Sequence, residues 1–416
     1  MTQLMFDSVV LGAGIVGVST AIHLQQRGHA VALVDLRAPG QETSYGNGGL
    51  IQREGVYPYA FPRGLRALLR YAGNRANDVR YHLRDVGQFA PFLAAYWRYS
   101  HPARHAAIAR NYATLITHCV DEHRALAQAA GARGLMRSTG WIKVFRTPAV
   151  QDAEAANAAR WHAEFGVGFA LLDAAQLRAA EPDLDTSLVG GLHYTDAESV
   201  SDPGALVTAY AALFVRLGGR IFLGDAKSLR ESGGRWVVHT QDGDVDAKHA
   251  VIALGPWADD VTTRLGYRLP LAVKRGYHMH YAPRGGAQLH RPVLDAENGF
   301  LLAPMARGIR LTTGVELADR DAPKTPVQLA AVEPVARTLF PLGERLDAEP
   351  WMGRRPCTPD MMPVIGPAPR HKGLWFAFGH AHHGLTLGPV TGRLIAEMIT
   401  GETPFVDPSP FRANRF

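Results

Sequence analysis

Gly12, Gly14 and Gly17 stand in a G-x-G-x-x-G at the point where an apolar run, residues 6–11, gives way to a helical pattern from Ile15 to Arg27. A second β-rich run, residues 30–34, ends on Asp35 about twenty residues past the glycines. No other feature restricts the possible folds so far. Gly12 permits a tight turn, Gly14 lets a pyrophosphate reach bare backbone, and Gly17 lets helix and strand pack closely. The helix N-terminus then offers unpaired N–H groups and positive dipole to the phosphates. Asp35 suits both hydroxyls of an adenosine ribose, which selects a 2′-hydroxyl cofactor, FAD or NAD, over a 2′-phosphate one. With 43 glycines in the chain an isolated match would mean little. The order strand, glycines, helix, strand, acid carries the inference.

Composition bounds the rest. The 416 residues suffice for two domains with a sizeable core, and 47% hydrophobic with 20% charged residues is ordinary for a soluble globular chain. No run approaches the roughly 18 apolar residues of a membrane span. The chain enters its first strand at once, so no cleavable leader is expected. Two cysteines, Cys119 and Cys357, are too few for a disulfide framework or a cysteine metal site, which points to a reducing, cytoplasmic compartment. The net charge of +6 comes from 44 basic against 38 acidic residues, with no nucleic-acid motif. The expected partners are therefore anionic small molecules and no nucleic acid.

After Asp35, residues 41–50 (QETSYGNGGL) are turn chemistry able to bring backbone N–H groups against a flat ligand. Residues 61–84 hold six arginines opposed only by Asp78, with leucines interleaved, a stretch able to lie on anionic lipid headgroups. Helices are expected over 108–131, 149–165 and 204–217, and strands over 140–145, 190–195, 220–223 and 227–229. A hairpin is expected over 235–240 and 244–249, followed by a separate buried strand, 250–255, that stops at Gly255 before Trp257. A strand ending in glycine puts backbone at the carboxyl edge of a parallel sheet, where nucleotides bind. Residues 276–281, 300–303 and 309–313 alternate as in an antiparallel sheet. A strand over 374–378 runs into Gly379–Gly384 and a helix over 385–400. The organisation read from this is a discontinuous nucleotide-binding domain (1–55, 196–266, 350–405), a second domain (56–195, 267–349) and a tail (406–416).

These landmarks resemble the D-amino-acid oxidase-like superfamily of FAD oxidoreductases, and within it most closely the small-subunit type of D-amino-acid dehydrogenase. Besides the N-terminal fingerprint, Thr43-Ser44, Asn47 and Gly49 match a T-S-x-x-N-x-G block, and Ala253, Gly255 and Trp257 an A-x-G-x-W strand end. Arg355-Pro356, Thr358-Pro359-Asp360, Pro363, Ile365-Gly366, Gly379-His380, Gly384, Thr386 and Gly392 match the C-terminal block. The resemblance implies an α/β protein in which a Rossmann-like, glutathione-reductase-type FAD domain carries an α+β substrate domain built on an antiparallel sheet. It implies that Gly12, Gly14, Gly17 and Asp35 hold the adenosine half of FAD, and that Ser44 reaches the pyrophosphate. Asn47, Gly48 and Gly49 then run beside the isoalloxazine, with Gly384, Leu385 and Thr386 at its pyrimidine edge. Ala226, Gly255 and Trp257 complete the cofactor set.

The reaction so implied removes a hydride from the Cα of an amino acid, giving the imino acid. It needs alignment and a cation for the carboxylate rather than an acid/base side chain. Arg355 is expected to bind that carboxylate, with Arg354 as its competitor, and Tyr277 to assist it. His380 and His383 are expected near cofactor or substrate, His382 is left open, and no metal is expected because no carboxylate or cysteine joins them at ligand spacing. His383 stands where the dehydrogenase group is apolar, which hints at a polar or cyclic substrate such as a hydroxyproline. No tethering cysteine precedes Thr358-Pro359-Asp360 at the right distance, so FAD is expected to be noncovalent. Arg310 replaces the oxygen-activating lysine of sarcosine-type oxidases, so electrons are expected to pass to a quinone or another carrier, with peripheral contact at the inner membrane. The rivals are an oxygen-using oxidase of glycine, sarcosine or another secondary amine, and a flavin-holding subunit without turnover of its own.

Overall fold

The computed structural model describes residues 4–416, the side chain of residue 67 apart. Strand β1 (Leu4–Leu11) ends at Gly12, helix α1 (Ile15–Gln26) follows, and β2 (Val31–Asp35) returns parallel to β1, paired from Ser8–Val31 to Leu11–Val34. The chain then leaves this sheet. It forms α2 (Leu65–Ala72) over the basic stretch, then α3 (Pro102–Ile116) and α4 (Cys119–Ala130). It returns through β3 (Arg220–Leu223), β4 (Arg235–Thr240) and β5 (Gly243–Ile252). The second excursion contains β6 (Ala272–Pro283) and β7 (Gly308–Thr312), and β8 (Trp351–Cys357) follows it. The chain closes with β9 (Val364–Pro367), β10 (Leu374–Phe378) and α5 (Gly384–Thr400).

The first sheet is built on the parallel order β3-β2-β1-β5. Strand β5 then forks: its first half pairs antiparallel with β4, and its second half pairs parallel with β10, which carries β9 antiparallel at its outer edge. Val9, Val10, Leu11, Val251 and Ile252 are fully buried, as strands covered on both faces require. Because β1, β2, β5 and β10 run in parallel, their carboxyl ends open on one side. Helix α5 lies on α1 through Gly388 and Gly392, where a Cβ would meet Ile15 and the Ser19–Thr20 backbone at 2.6 Å. Only hydrogen side chains allow that approach.

The second sheet has eleven strands with β6 as its spine, bordered by β7 and by Val315–Leu317 on one edge and by β8 and Leu342–Arg345 on the other. It is mostly antiparallel, with two parallel pairs: Val293–Asp295 beside Trp141–Phe145, and Val315–Leu317 beside Val79–Tyr81. Each parallel pair joins a strand of the first excursion to one of the second, so no hairpin dictates its direction. The two excursions build one sheet.

Four local expectations are corrected. Residues 108–131 are two helices, because the chain turns at Thr117, whose hydroxyl donates to the Ala113 carbonyl at 2.8 Å. Residues 227–229 are not a strand; Ala226–Ser228 is a 3₁₀ turn held by the Asp225 carboxylate on the Lys227 N–H at 2.9 Å, and the strand is Arg230–Ser232. The expected strands 244–249 and 250–255 are one strand, β5, straight through His249. Finally, β8 lies within 350–405 yet pairs with β6 along its full length, from Ala272–Cys357 to His278–Trp351. The chain rejoins the first sheet only at β9.

Candidate cofactor and substrate site

A cavity of about 1150 Å³ opens at the carboxyl ends of β1, β2, β5 and β10 and continues along the face where β6 and β8 pair. Its first end is the glycine turn. Gly12 has φ +106°, and a Cβ there would sit 2.5 Å from the Ala253 carbonyl oxygen. Asp35 accepts the Ala13 N–H at 2.6 Å and the Arg37 N–H at 3.1 Å, which holds its carboxylate at the cavity edge. A carboxylate has about four acceptor positions, so two remain for hydroxyls. Helix α1 has no side-chain cap and no acid in its first turn. Ser44 reaches that terminus, its hydroxyl accepting the Ile15 N–H at 3.0 Å.

Asn47 folds its own turn, Oδ1 accepting the Gly49 N–H at 2.9 Å. Gly48, Ala226, Gly255 and Trp257 line the cavity. So do Gly384 and Leu385 at the start of α5, a second helix with no acid in its first turn. Three residues expected in the cofactor set stand behind the wall. Gly17 lies against the Gly12 carbonyl, Gly49 (φ +77°) against the Val200 carbonyl, and Thr386 ties Leu50 to Gln52 by accepting the Gln52 N–H and donating to the Leu50 carbonyl, both at 3.2 Å. They shape the site without facing it.

This donor set fits FAD. Two helix N-termini with no acid in their first turns open on one elongated cavity, an acid stands at the end of β2, and side-chain-free backbone lies between them. An isoalloxazine needs such a flat, donor-lined cradle.

The other end of the cavity carries Arg355, Lys274, Tyr59, His382 and Cys357. Lys274 and Arg355 are register partners on β6 and β8, so the pleat puts both on one face. The Arg355 guanidinium lies over Gly276, where a Cβ would come within 2.6 Å of Nη1. It donates to the carbonyls of Gly314 (2.8 Å), Arg275 (3.3 Å) and Thr313 (3.4 Å), and meets no carboxylate among the described residues. Burial holds its pKa below the ordinary arginine value. Arg354, the alternative candidate, donates to the Arg320 carbonyl at 2.9 Å and lies 4.0 Å from Asp321.

Tyr277, expected to assist with the carboxylate, is among the residues that line the cavity, but its hydroxyl is engaged within the wall. Its hydroxyl donates to Glu316 at 2.8 Å and accepts from Arg275 Nη2 at 2.9 Å and the Thr325 N–H at 2.8 Å. A phenol has no further position to offer. In a strand, Tyr277 points away from the face that Lys274 and Gly276 share.

The histidines separate as well. His380 lines the cavity, bonded to Thr391 Oγ1 at 2.9 Å, and burial pushes its pKa down to about 3. His383 does not line it. The ring is buried against Gly55, bonded through Nδ1 to the Tyr112 hydroxyl at 2.6 Å, and burial pushes it down to about 3. The hint of a hydroxylated or cyclic substrate rested on His383 and loses its footing here. His382 takes the place at the wall, its ring 4.5 Å from that of Tyr59. Burial, then His383 and Arg355, hold its pKa well below the usual imidazole value.

Sequence reasoning gave no site role to Lys274 or Tyr59 and left His382 open. Strand alternation would place Lys274 opposite Tyr277, but only the pairing with β8 tells which face is wet. Arg310 does not line the cavity: Nε donates to His280 Nε2 at 3.0 Å, and Nη1 to the carbonyls of Tyr45 (3.2 Å) and Asn47 (2.5 Å). It pins the 45–47 turn. The ligand atoms of His278, His280 and Asp347 cluster beside it, but His280 already bonds Asp347 through Nδ1 at 2.7 Å and accepts from Arg310 through Nε2, so no lone pair is left for a metal.

Comparison with known proteins agrees with this geometry. The family model described as "FAD dependent oxidoreductase" matches residues 7–398. A D-amino-acid oxidase of Bradyrhizobium diazoefficiens is 30% identical over 419 residues, covering 98% of each chain. A D-amino acid dehydrogenase of Chromohalobacter salexigens is 31% identical, covering 98% of this chain and 99% of its own. In fold, the chain is similar to the crystal structure of glycine oxidase from Geobacillus kaustophilus (TM-score 0.75, 22% identity, 99% of each chain). It is equally similar to L-proline dehydrogenase from P. horikoshii (TM-score 0.75, 19% identity, 100% of this chain and 98% of the other). With its glycine turn, two helix N-termini opening on one cavity and a family match spanning almost the whole polypeptide, this chain belongs to the FAD dependent oxidoreductase family.

Proposed function

We propose that this protein oxidises a D-amino acid to its imino acid. The observation that carries the reading is Arg355, a guanidinium on the cavity wall with no carboxylate partner, beyond the cofactor cradle. The names of the relatives support the D-amino acid. FAD supplies the hydride acceptor. Arg355 takes the α-carboxylate in its fork and orients the molecule; restricting it to one alignment is worth several kcal/mol. Gly276 gives the guanidinium its room, and three carbonyls fix its plane. His380 and His382 are neutral at physiological pH, so they add no positive charge against the amine. Tyr59 and Tyr96 line the same end.

In this reading FAD is held without a covalent bond, and the electrons leave to a quinone at the cytoplasmic face of the membrane. Helix α2 supports that exit. Its Leu68 and Tyr71 line the cavity, while Leu65 and Leu69 are 72% and 65% exposed on the outside, with arginines between. Among the described residues no helix is long and apolar enough to cross a membrane. The second reading is an oxidase passing electrons to oxygen. The Bradyrhizobium relative is named an oxidase, and Lys274 is a cavity-facing lysine.

Anaerobic mixing of the FAD-loaded protein with D-amino acids, their L forms and N-methyl amino acids tests the proposal. Bleaching by D forms supports it, and a flavin left yellow by every amino acid overturns it. Peroxide formed as fast as dye is reduced would select the oxidase.

A further inference from the structure

The charge inventory of the cavity is lopsided at the substrate end. Arg37, Lys143, Lys227, Arg320 and Arg354 line the cavity and each lies within 4.0 Å of a carboxylate. Lys274 and Arg355 are the two cavity-lining cations that do not, among the described residues, and they stand directly opposite each other across β6 and β8. Like charges at paired positions destabilise a sheet. Here they do so in a half-buried site where burial holds both pKa values down.

Lys274 is the more exacting of the two. Arg355 has three carbonyl acceptors. The hydrogen-bond partner of the Lys274 ammonium among the described residues is Met361 Sδ at 3.9 Å. It also lies over two aromatic faces, Tyr96 at 4.1 Å and Phe92 at 5.8 Å to the ring centroids. Those faces steady a cation but accept none of its three N–H bonds in the manner of an oxygen. A cavity-lining ammonium beside a second cation, with no oxygen acceptor among the described residues, is complementary to an anion. If one carboxylate occupies the Arg355 fork, the Lys274 ammonium is left for another.

We infer that the substrate carries a second carboxylate, on its side chain or on its nitrogen, which Lys274 binds while Arg355 holds the α-carboxylate. The inference rests on reading the cavity as an amino-acid site. It names a class: dicarboxylic amino acids. Lys274 is then the residue that sets specificity, and the Tyr96–Phe92 pair keeps its stem in place.

The test compares two inert four-carbon acids, succinate and butyrate, titrated into the FAD-loaded protein while the visible flavin spectrum reports binding. The wild type is expected to bind succinate about ten- to a hundredfold more tightly than butyrate, the range for a hydrogen-bonded charged partner. In Lys274→Met the ratio is expected to fall to within about threefold. Methionine fits among Phe92, Tyr96 and Met361, and retained FAD absorbance checks the fold. A wild-type ratio near one overturns the inference, as does a variant in which both acids weaken together, because Lys274 then shares a single carboxylate with Arg355. Arg355→Met separates this from failure of the underlying reading. If it leaves butyrate binding as in the wild type, or if neither acid perturbs the wild-type spectrum, the amino-acid site itself is wrong. Anaerobic bleaching by D-glutamate or by N-(carboxymethyl)glycine then locates the second carboxylate; bleaching by D-alanine but by neither of these overturns the inference.

Discussion

The Tyr277 hydroxyl donates to the Glu316 carboxylate at 2.8 Å, in the buried wall of the cavity. Glu316 is bonded in turn by Arg275 Nε at 2.7 Å, and all three side chains are buried. Tyr277→Phe is therefore expected to act on stability and not on substrate. The loss of one bond to a charged group, with the Thr325 N–H left without its acceptor, costs about 1.5–3 kcal/mol. Urea unfolding measures that loss, and KM for the amino acid should stay within about twofold. A large rise in KM with unchanged stability would return Tyr277 to the site.

Arg355→Met is expected to cut kcat/KM by two to three orders of magnitude. Removing the charged partner of a buried carboxylate costs about 3–4 kcal/mol within the range for such truncations. FAD content, read from the visible spectrum, should not change, because Arg355 lies at the far end of the cavity from the glycine turn.

Glu54 gives the chain a component of stability that falls with rising pH. Its carboxyl is buried, with Oε1 bonded by Gln52 and Trp141 and Oε2 without a partner, and burial pushes its pKa up to about 7. The folded state keeps the proton that the unfolded chain releases near pH 4.5, so this contribution declines from pH 4.5 to 7 and is flat above. The rise from 4.5 to about 7 amounts to on the order of 3 kcal/mol. Glu54→Gln should therefore gain on the wild type by roughly that amount as urea unfolding is repeated from pH 5 to pH 8. A constant difference would refute it.

Buried histidines act in the opposite sense. His23, His380 and His383 are pushed down to about 3 and His123 to about 4, in each case chiefly by burial. They stay neutral in the folded protein while the unfolded chain protonates them below about 6.5, so their contribution is lost as pH falls from there towards 3–4. Unfolding near pH 5 should take up close to one proton for each, which calorimetry in buffers of different ionisation enthalpy can count.

Leu65→Ser with Leu69→Ser tests the membrane exit. Both side chains are largely exposed, so folding should be unaffected, while affinity for anionic vesicles is expected to drop about ten- to a hundredfold. Reduction of a soluble dye should continue, and reduction of a membrane quinone should fall.

How far the sequence could be read depended on the distance over which each residue finds its partner. Gly12, Gly14 and Asp35 were legible because a turn, a helix start and the end of the next strand lie within thirty residues and obey local rules. Arg355 was singled out through its motif. Its partner in register, Lys274, could not be, because nothing in the β6 segment states that β8 will lie beside it. Tyr277 shows the same limit: alternation says that Tyr277 and Lys274 face opposite ways, but not which way is inward. His383 sits one position from the wall residue His382, and a single step around the loop decides between cavity and core.

The packing of α5 on α1 through Gly388 and Gly392 has a consequence for biosynthesis. The first dinucleotide turn leaves the ribosome early, but the helix that lies along it, and the strand that completes the sheet beside β5, are translated near the end. Nascent chains truncated before α5 would emerge with an open nucleotide cleft and an unpaired strand edge, dependent on chaperones, and flavin capture would be a late, essentially post-translational event.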